Sequence, residues 1–148
     1  RRPEKGTYLA NVRNEERPLS PHLSVYKWGP AMTVSIIHRV TGTGLAVVGA
    51  LLFVWWLASL ASGQAVHAQF VDVFSLKSGA LNILGYVLGV GLTWAVFQHM
   101  ASGVRHLFMD QGGNFELAAN KNTALITFAF AVLATLAFWL AILEKLNG

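Results

Sequence analysis

The chain has 148 residues, of which 54% are hydrophobic and 12% are charged, and its formal net charge is +4. A soluble domain usually has about 25% charged residues, so this chain has too few charges to cover a surface in water. It contains no cysteine, which excludes disulfides, iron–sulfur clusters, thiolate zinc sites and cysteine nucleophiles. The composition predicts a small membrane protein and argues against a soluble enzyme.

Three long stretches contain no Asp, Glu, Lys or Arg: residues 40–71, 78–104 and 122–143. Each has room for a helix of about 20 residues that crosses a bilayer. Because the backbone must satisfy its own hydrogen bonds in lipid, helices are the expected structure. The sequence therefore predicts an all-α membrane protein in which residues 30–148 form a three-helix transmembrane anchor. The spans are expected at about residues 31–61, 79–108 and 120–144.

The basic residues predict the orientation of these spans. Seven of the eleven precede or begin the first span: Arg1, Arg2, Lys5, Arg13, Arg17, Lys27 and Arg39. The first loop contains only Lys77, whereas Arg105 and Lys121 flank the second. The positive-inside rule then places the N-terminus and the second loop on the cytoplasmic or matrix side. An aromatic belt is expected at the opposite membrane surface, formed by Trp55, Trp56 and Trp139.

The N-terminal segment, residues 1–29, is polar and contains Pro3, Pro18 and Pro21. Such a segment cannot form a core by itself, so we expect it to lie on the inner membrane surface or against a partner. For residues 1–16, a disordered tail is the alternative. No signal peptide is expected, because polar sequence follows the basic N-terminal region. Since no long presequence is visible, the bacterial inner membrane is favoured over the mitochondrial inner membrane.

Small residues mark helix-packing surfaces and one turn. Gly85 with Gly89, and Gly42 with Ala46, are spaced four residues apart, which is typical of closely packed membrane helices. The sequence Gly112-Gly113-Asn114 predicts the break between the second and third spans.

Ionisable side chains cluster at the predicted inner ends of the first two spans. On the first span, positions i, i+3, i+4 and i+7 share a helical face and hold Ser35, His38, Arg39 and Gly42. On the second span, a similar stripe holds His99, Gly103, His106 and Asp110. The first span begins and the second ends at the inner surface, so the two stripes approach each other. Their meeting indicates a functional site.

His99 is the candidate ligand of a metal cofactor. It lies seven residues before His106, about 10 Å deeper in the membrane, where an ionisable side chain is costly and usually functional. A neutral imidazole is a good ligand for haem iron, and small neighbours would let a porphyrin approach: Ala95, Ser102 and Gly103. The alternative is a histidine that hydrogen-bonds to a neighbouring helix, with the small residues serving helix packing.

The second axial ligand of such a haem must approach the iron from the opposite face. His106 lies on the same side of its helix as His99, so it cannot be that ligand. A residue from another chain is favoured, and His38 is the alternative.

Polar side chains near His99 suit two kinds of ligand. A shallow ring of cationic side chains would be formed by His38, Arg39, Arg105 and His106. This ring would bind haem propionates, and the alternative is that it anchors to lipid headgroups. Ser35 and Arg39 can hydrogen-bond to a quinone carbonyl and stabilise the negative charge that develops on reduction. Hydrogen bonding of Ser35 to its own helix is the alternative.

Four motifs resemble the large cytochrome b556 anchor subunits of succinate dehydrogenase, which is respiratory complex II. They are Arg17-Pro-Leu-Ser-Pro-His22, Tyr26-Lys-Trp28, Ser35-Ile-Ile-His-Arg-Val-Thr-Gly42 and His99-x-x-x-Gly-x-Arg-His-Leu-x-x-Asp110. The motifs occur in the expected order, and the resemblance covers nearly all of the chain after residue 16.

The resemblance implies a shared haem and a ubiquinone site. His99 would be one axial ligand of haem b, and the smaller anchor subunit would supply the other. His38 and His106 would lie near the haem propionates, with Gly103 beside the ring and Arg39 between haem and quinone. Ser35 and Arg39 would line the ubiquinone site, with Ile36 and Trp28 as apolar walls. Asp110 would pair with Arg39 or Arg105.

The implied partners are a flavoprotein subunit that oxidises succinate, an iron–sulfur subunit that passes electrons to ubiquinone, the second anchor subunit and membrane lipids. The chain has no dinucleotide fingerprint, so those first steps belong to partners. The alternatives are a quinol–fumarate reductase anchor and a haem-free structural anchor. A channel is disfavoured because the polar cluster lies at one end. Nucleic-acid binding is not expected, because the basic residues follow membrane topology.

Overall fold

The computed structural model describes residues 27–147, and their side chains as far as residue 145. Most of the predicted N-terminal surface segment, and the first two family motifs up to Tyr26, lie outside the described residues. The described chain forms three long helices and one short helix: α1 (Pro30–Ala61), α2 (Gln64–Phe74), α3 (Ile83–Asp110) and α4 (Leu117–Asn147). The three long helices are long and apolar enough to cross a membrane, which confirms the predicted fold class.

Helix α1 begins where a proline fixes the backbone. Pro30 occupies the first turn, where its missing N–H costs no hydrogen bond. The hydroxyl of Thr33 donates to the carbonyl of Gly29, 3.2 Å away. Midway along the helix, Leu45–Gly49 form a π-helical turn. Such a turn inserts one residue, so the face that continues into the outer half of α1 is shifted.

The interior of the bundle is small or polar, and its surface is apolar. Apart from Gly85, the buried residues of the described chain are Val34, Ala124, Ala131, Thr41, Ser59, Gln98, Ser102, Arg105, Thr127 and Thr135. Large apolar side chains cover the outside instead, for example Leu51 at 67% exposed and Leu133 at 66%. Membrane helices pack in this way because close approach and hydrogen bonding, rather than burial of apolar surface, favour their association.

Two glycines permit close contacts with α3. A methyl group on Gly89 would lie 2.9 Å from the ring of Trp139, and one on Gly85 would collide with the carbonyl oxygen of Phe74. Both are packing positions, as their spacing predicts. The ring of Trp139 packs against Gly89 of the neighbouring helix, and its place in an aromatic belt stays a prediction.

The connections between the helices contain residues that cap helices or favour turns. The side chain of Asn82 caps α3 by accepting a hydrogen bond from the N–H of Gly85 at 2.8 Å. Between α3 and α4, Gly112 and Asn114 adopt positive φ angles of 86° and 64°, so the predicted break is confirmed there. Helix α2 has no counterpart in the predicted elements, which leave residues 62–78 as a loop.

Candidate functional site

Three histidines from two helices meet at one end of the bundle. The rings of His38 on α1 and His99 on α3 are stacked, with centroids 4.0 Å apart and an angle of 6° between their planes. His106, two turns along α3, meets His38 edge-on at 5.1 Å. The helices therefore bring together the two polar stripes that the sequence separates. Stacked rings at this distance leave no space between them for a porphyrin.

Hydrogen bonds fix the tautomer of His99. Its Nδ1 lies 3.1 Å from the carbonyl oxygen of His38 and 3.4 Å from Oγ1 of Thr41. A carbonyl only accepts, so Nδ1 carries the proton and donates it. The Thr41 hydroxyl donates to the carbonyl of Ile37 at 2.7 Å, which leaves its oxygen as a second acceptor. In the neutral ring Nε2 is then the nitrogen that carries the lone pair, and it has no hydrogen-bond partner among the described residues.

A buried hydroxyl orients His38 in the same way. Ser102 is fully buried, and its hydroxyl donates to the carbonyl of Gln98 at 2.7 Å. Its oxygen therefore accepts from Nδ1–H of His38, 2.7 Å away. Ser102 was expected to contribute bare surface for a porphyrin, but it lies inside the bundle and holds the histidine of the neighbouring helix.

Gly42 permits the close approach of the two helices at the histidines. A methyl group on Gly42 would lie 2.7 Å from Cε1 of His99 and 3.2 Å from its Nδ1, so the imidazole lies directly against the backbone of α1. A methyl group on Gly103 would be 3.6 Å from Cε1 of His38, an ordinary contact. Gly42 is thus part of the histidine site, whereas its spacing with Ala46 suggested only a packing surface.

An open groove of about 270 Å³ continues from this cluster between α1 and α3. Its floor contains small residues, among them Gly44, Gly91 and Ala95, and Thr41 lies at its histidine end. A methyl group on Gly44 or Gly91 would meet no atom within 4 Å. The groove is therefore an open, mostly apolar surface that includes Thr41, the residue whose hydroxyl contacts His99.

The predicted quinone residues lie on the outside of α1. Arg39 and Ile36 are exposed, Ser35 is half-buried at the boundary with the histidine face, and Trp28, before the helix, is 63% exposed. Arg39 borders a shallow opening of about 320 Å³ whose other walls include Val40 and Thr43. Within residues 27–147 this opening has one wall, α1, so a small molecule held there needs further walls from elsewhere.

Arg105 takes a different place from the one predicted. It is 5% exposed and points between α3 and α4, where its guanidinium donates to Oδ1 of Asn120 and, at 3.3 Å, to Oγ1 of Thr123. It therefore ties two helices together instead of joining a shallow cationic ring. The predicted pairing of Asp110 with Arg105 does not form, because these amide and hydroxyl oxygens take the guanidinium.

Removing the amide that faces Arg105 is expected to destabilise the bundle. Asn120→Ala removes one of the two acceptors of a buried cation and leaves only the longer contact with Thr123, and hydrogen bonds to charged groups contribute about 1.5–3 kcal/mol. The thermal unfolding midpoint of the purified protein complex should fall. Asn122→Ala is the matched control, because Asn122 is exposed two residues further along the same helix. Equal midpoints for the two variants would contradict a structural role for the Arg105 contact.

The chain is similar to a known family of transmembrane subunits over most of its length. The sequence model of the succinate dehydrogenase/fumarate reductase transmembrane subunit matches residues 13–138. The succinate dehydrogenase cytochrome b556 subunit of Paracoccus denitrificans is 36% identical over 129 residues, which cover 86% of this chain and 94% of the relative. The chain belongs to this family of transmembrane subunits.

Other members of the succinate dehydrogenase family are similar over most of the chain. The cytochrome b556 subunit of Rickettsia felis is 34% identical over 84% of this chain and 91% of its own length. The mitochondrial cytochrome b560 subunit of Sus scrofa is 31% identical over 80% of this chain and 68% of its own length. The chain is thus a membrane-anchor subunit of complex II, which makes it part of an oxidoreductase.

Proposed function

We propose that this chain anchors succinate:ubiquinone oxidoreductase in the membrane, binds haem b together with the small anchor subunit, and forms part of the ubiquinone site. The observation that carries the proposal is the fixed tautomer of His99, whose Nδ1–H is held by the His38 carbonyl while Nε2 stays unprotonated. Haem-ligating histidines need this arrangement, in which a second hydrogen bond orients the ring and raises its basicity.

The residues present fit half of a haem site. His99 would bind the iron through Nε2, and a bound haem b would supply a centre that accepts and gives one electron. His38 stacks directly on His99, which argues against His38 as the opposing ligand and favours a histidine of the small anchor subunit. His38, His106 and Arg39 lie at the shallow end, where they would bind propionates, and Gly103 leaves room beside them.

Ser35 and Arg39 would bind ubiquinone on the adjacent face of α1. The hydroxyl and the guanidinium, one turn apart, can donate to one quinone carbonyl, and the cation stabilises the charge that develops on reduction. Ile36 and Trp28 would form apolar walls against the ring. Because this face is open in the isolated chain, the iron–sulfur subunit and the second anchor would complete the pocket. The iron–sulfur subunit would deliver electrons there.

The remaining partners and the orientation follow from charge and composition. The iron–sulfur clusters would belong to the iron–sulfur subunit, since this chain has no cysteine to ligate them, and the flavin would belong to the flavoprotein subunit, since the chain has no dinucleotide fingerprint. The N-terminus and the histidine end would face the cytoplasm of a bacterium, because most basic residues precede α1. In that position, residues 1–29 can contact the soluble subunits, and protons for quinone reduction arrive from the same side.

The test is purification of the complex through an affinity tag on this chain. Three partners should co-purify, namely the flavoprotein subunit, the iron–sulfur subunit and the second anchor subunit. The reduced-minus-oxidised spectrum should contain a b-type α-band, and the complex should reduce ubiquinone with electrons from succinate. Ubiquinone reduction without a b-type band would replace the haem proposal by a haem-free anchor. Faster fumarate reduction by quinol than quinone reduction by succinate would favour the fumarate reductase alternative, which the family description includes.

A further inference from the structure

Helix α2 is amphipathic and lies at the end of the bundle opposite the histidines. It follows the end of α1 at Ala61 and precedes the start of α3 at Ile83, whereas His38 is near the start of α1 and His99 is in the second half of α3. We propose that α2 lies in the plane of the membrane interface, with Val66 and Val73 against lipid acyl chains and its opposite side in water. This inference does not depend on haem or quinone binding.

The sequence of α2 divides into two sides at 100° per residue. One side is mainly apolar and contains Val66, His67, Phe70, Val73 and Phe74. The other side is small or polar and contains Gln64, Ala65, Ala68, Gln69 and Asp72. Val71 lies at the boundary between the two sides, between His67 and Gln64, and is 43% exposed. A helix with this division places its apolar side below the level of the lipid headgroups and keeps the polar side in water.

The centre of the apolar side packs on the end of α1. Phe70 and Phe74 meet the indole of Trp55 edge-on, with ring centroids 4.9 and 5.9 Å away. His67 lies 3.0 Å from Oγ of the buried Ser59, whose hydroxyl donates to the carbonyl of Trp56 and therefore accepts from the imidazole. These contacts hold α2 in one orientation, so its remaining apolar residues point sideways.

Both ends of α2 are fixed at the level where the spans end. Gly63, with φ of +97°, turns the chain directly from α1 into α2, and only Ser62 and Gly63 connect the two helices. At the other end, the amide of Asn82 donates to the carbonyl of Val73 at 2.8 Å, and Gly85 allows α3 to touch the carbonyl of Phe74. The helix therefore cannot leave the end of the bundle.

The exposed apolar flank of α2 is continuous with the lipid-facing surface of α3. Val66 is 41% exposed and Val73 40%, and Leu76 and Ile83 continue the apolar surface at 54% and 85%. An open groove of about 560 Å³ separates the end of α2 from the start of α3, and Tyr86 is part of its lining. A lipid acyl chain is the occupant we infer for this site, because its lining is mostly apolar and it lies where two membrane-spanning helices end or begin.

Spin labels on single cysteines test this placement in the reconstituted complex. The chain has no native cysteine, so V66C and V73C report the apolar flank, and A65C and A68C are the matched variants on the polar side. The unmodified complex, labelled in parallel, gives the background from partner subunits. Oxygen collects in hydrocarbon and a water-soluble nickel chelate does not, so relaxation by each reagent distinguishes the two environments.

We expect the ratio of oxygen to nickel accessibility to be several-fold higher at positions 66 and 73 than at 65 and 68. Equal, high nickel accessibility at all four positions would overturn the proposal, because α2 would then lie in water. Low accessibility of positions 66 and 73 to both reagents would also overturn it, because a protein partner would then cover the flank.

Discussion

Arg39→Ala is expected to lower ubiquinone reduction by about 100-fold or more, the loss seen when a donor to a developing oxyanion is removed. Succinate oxidation measured with an artificial acceptor that bypasses ubiquinone should stay unchanged. The guanidinium is exposed on α1, one turn from Ser35, so its loss removes charge stabilisation without disturbing the bundle interior. Ser35→Ala removes a neutral donor and should cause a smaller loss.

Two controls separate binding from assembly in this experiment. Lys121→Ala removes one exposed cation at the same end of the bundle and should leave ubiquinone reduction at the wild-type rate. Arg39→Lys keeps the charge but loses the planar fork of donors, so its rate should lie between those of wild type and Arg39→Ala. If Arg39→Ala lowers both activities equally, the residue serves assembly, and the quinone role is contradicted.

Much of the fold could be predicted from the sequence, because a membrane imposes its own pattern. Long runs of residues without charge can be seen directly in the sequence, and they mark the three spans without knowledge of any contact. Reliance on charge-free runs also explains why helix α2 was not predicted. It lies within and just beyond the first charge-free run, where only Gly63 indicates that the chain turns, and its two-sided character becomes meaningful only once Phe70 is seen against α1.

The histidine cluster could also be predicted, because helical spacing fixes which residues share a face. The spacing does not show which neighbouring helix each face contacts. Arg105 precedes His106 in the sequence, yet its side chain turns to α4 and binds Asn120. Ser102 has the size expected of bare surface, but it faces α1 and holds His38. Both outcomes depend on the rotation of α3 in the bundle.

One buried group has no counterpart in the sequence reasoning. Gln98 is fully buried, and neither polar atom of its amide has a hydrogen-bond partner among the described residues. Its backbone carbonyl accepts the hydroxyl of Ser102, so the residue lies directly behind the histidine cluster. Polar residues thus continue inward from the site on the face that α3 presents to the bundle.

His99→Ala is expected to remove the b-type haem, and Gly42→Ala is expected to weaken its binding by about 10- to 100-fold, the range for loss of a supporting hydrogen bond. The physical reason is the direct contact between His99 and the backbone of α1. A methyl group on Gly42 would lie 2.7 Å from the ring, so the imidazole must move and give up its hydrogen bond to the His38 carbonyl. Haem content per complex and the reduced-minus-oxidised spectrum measure both effects.

Gly49→Ala is the matched control for Gly42→Ala. It makes the same change on the same helix, and its methyl group would meet neighbours at 3.8 Å or more, so haem content should equal that of wild type. A wild-type spectrum and haem content in Gly42→Ala would show that the backbone contact does not position His99. An unchanged band in His99→Ala would place the ligand on another residue. Loss of the band in His99→Ala with partial loss in Gly42→Ala is the expected order, because the first removes the iron ligand and the second only displaces it.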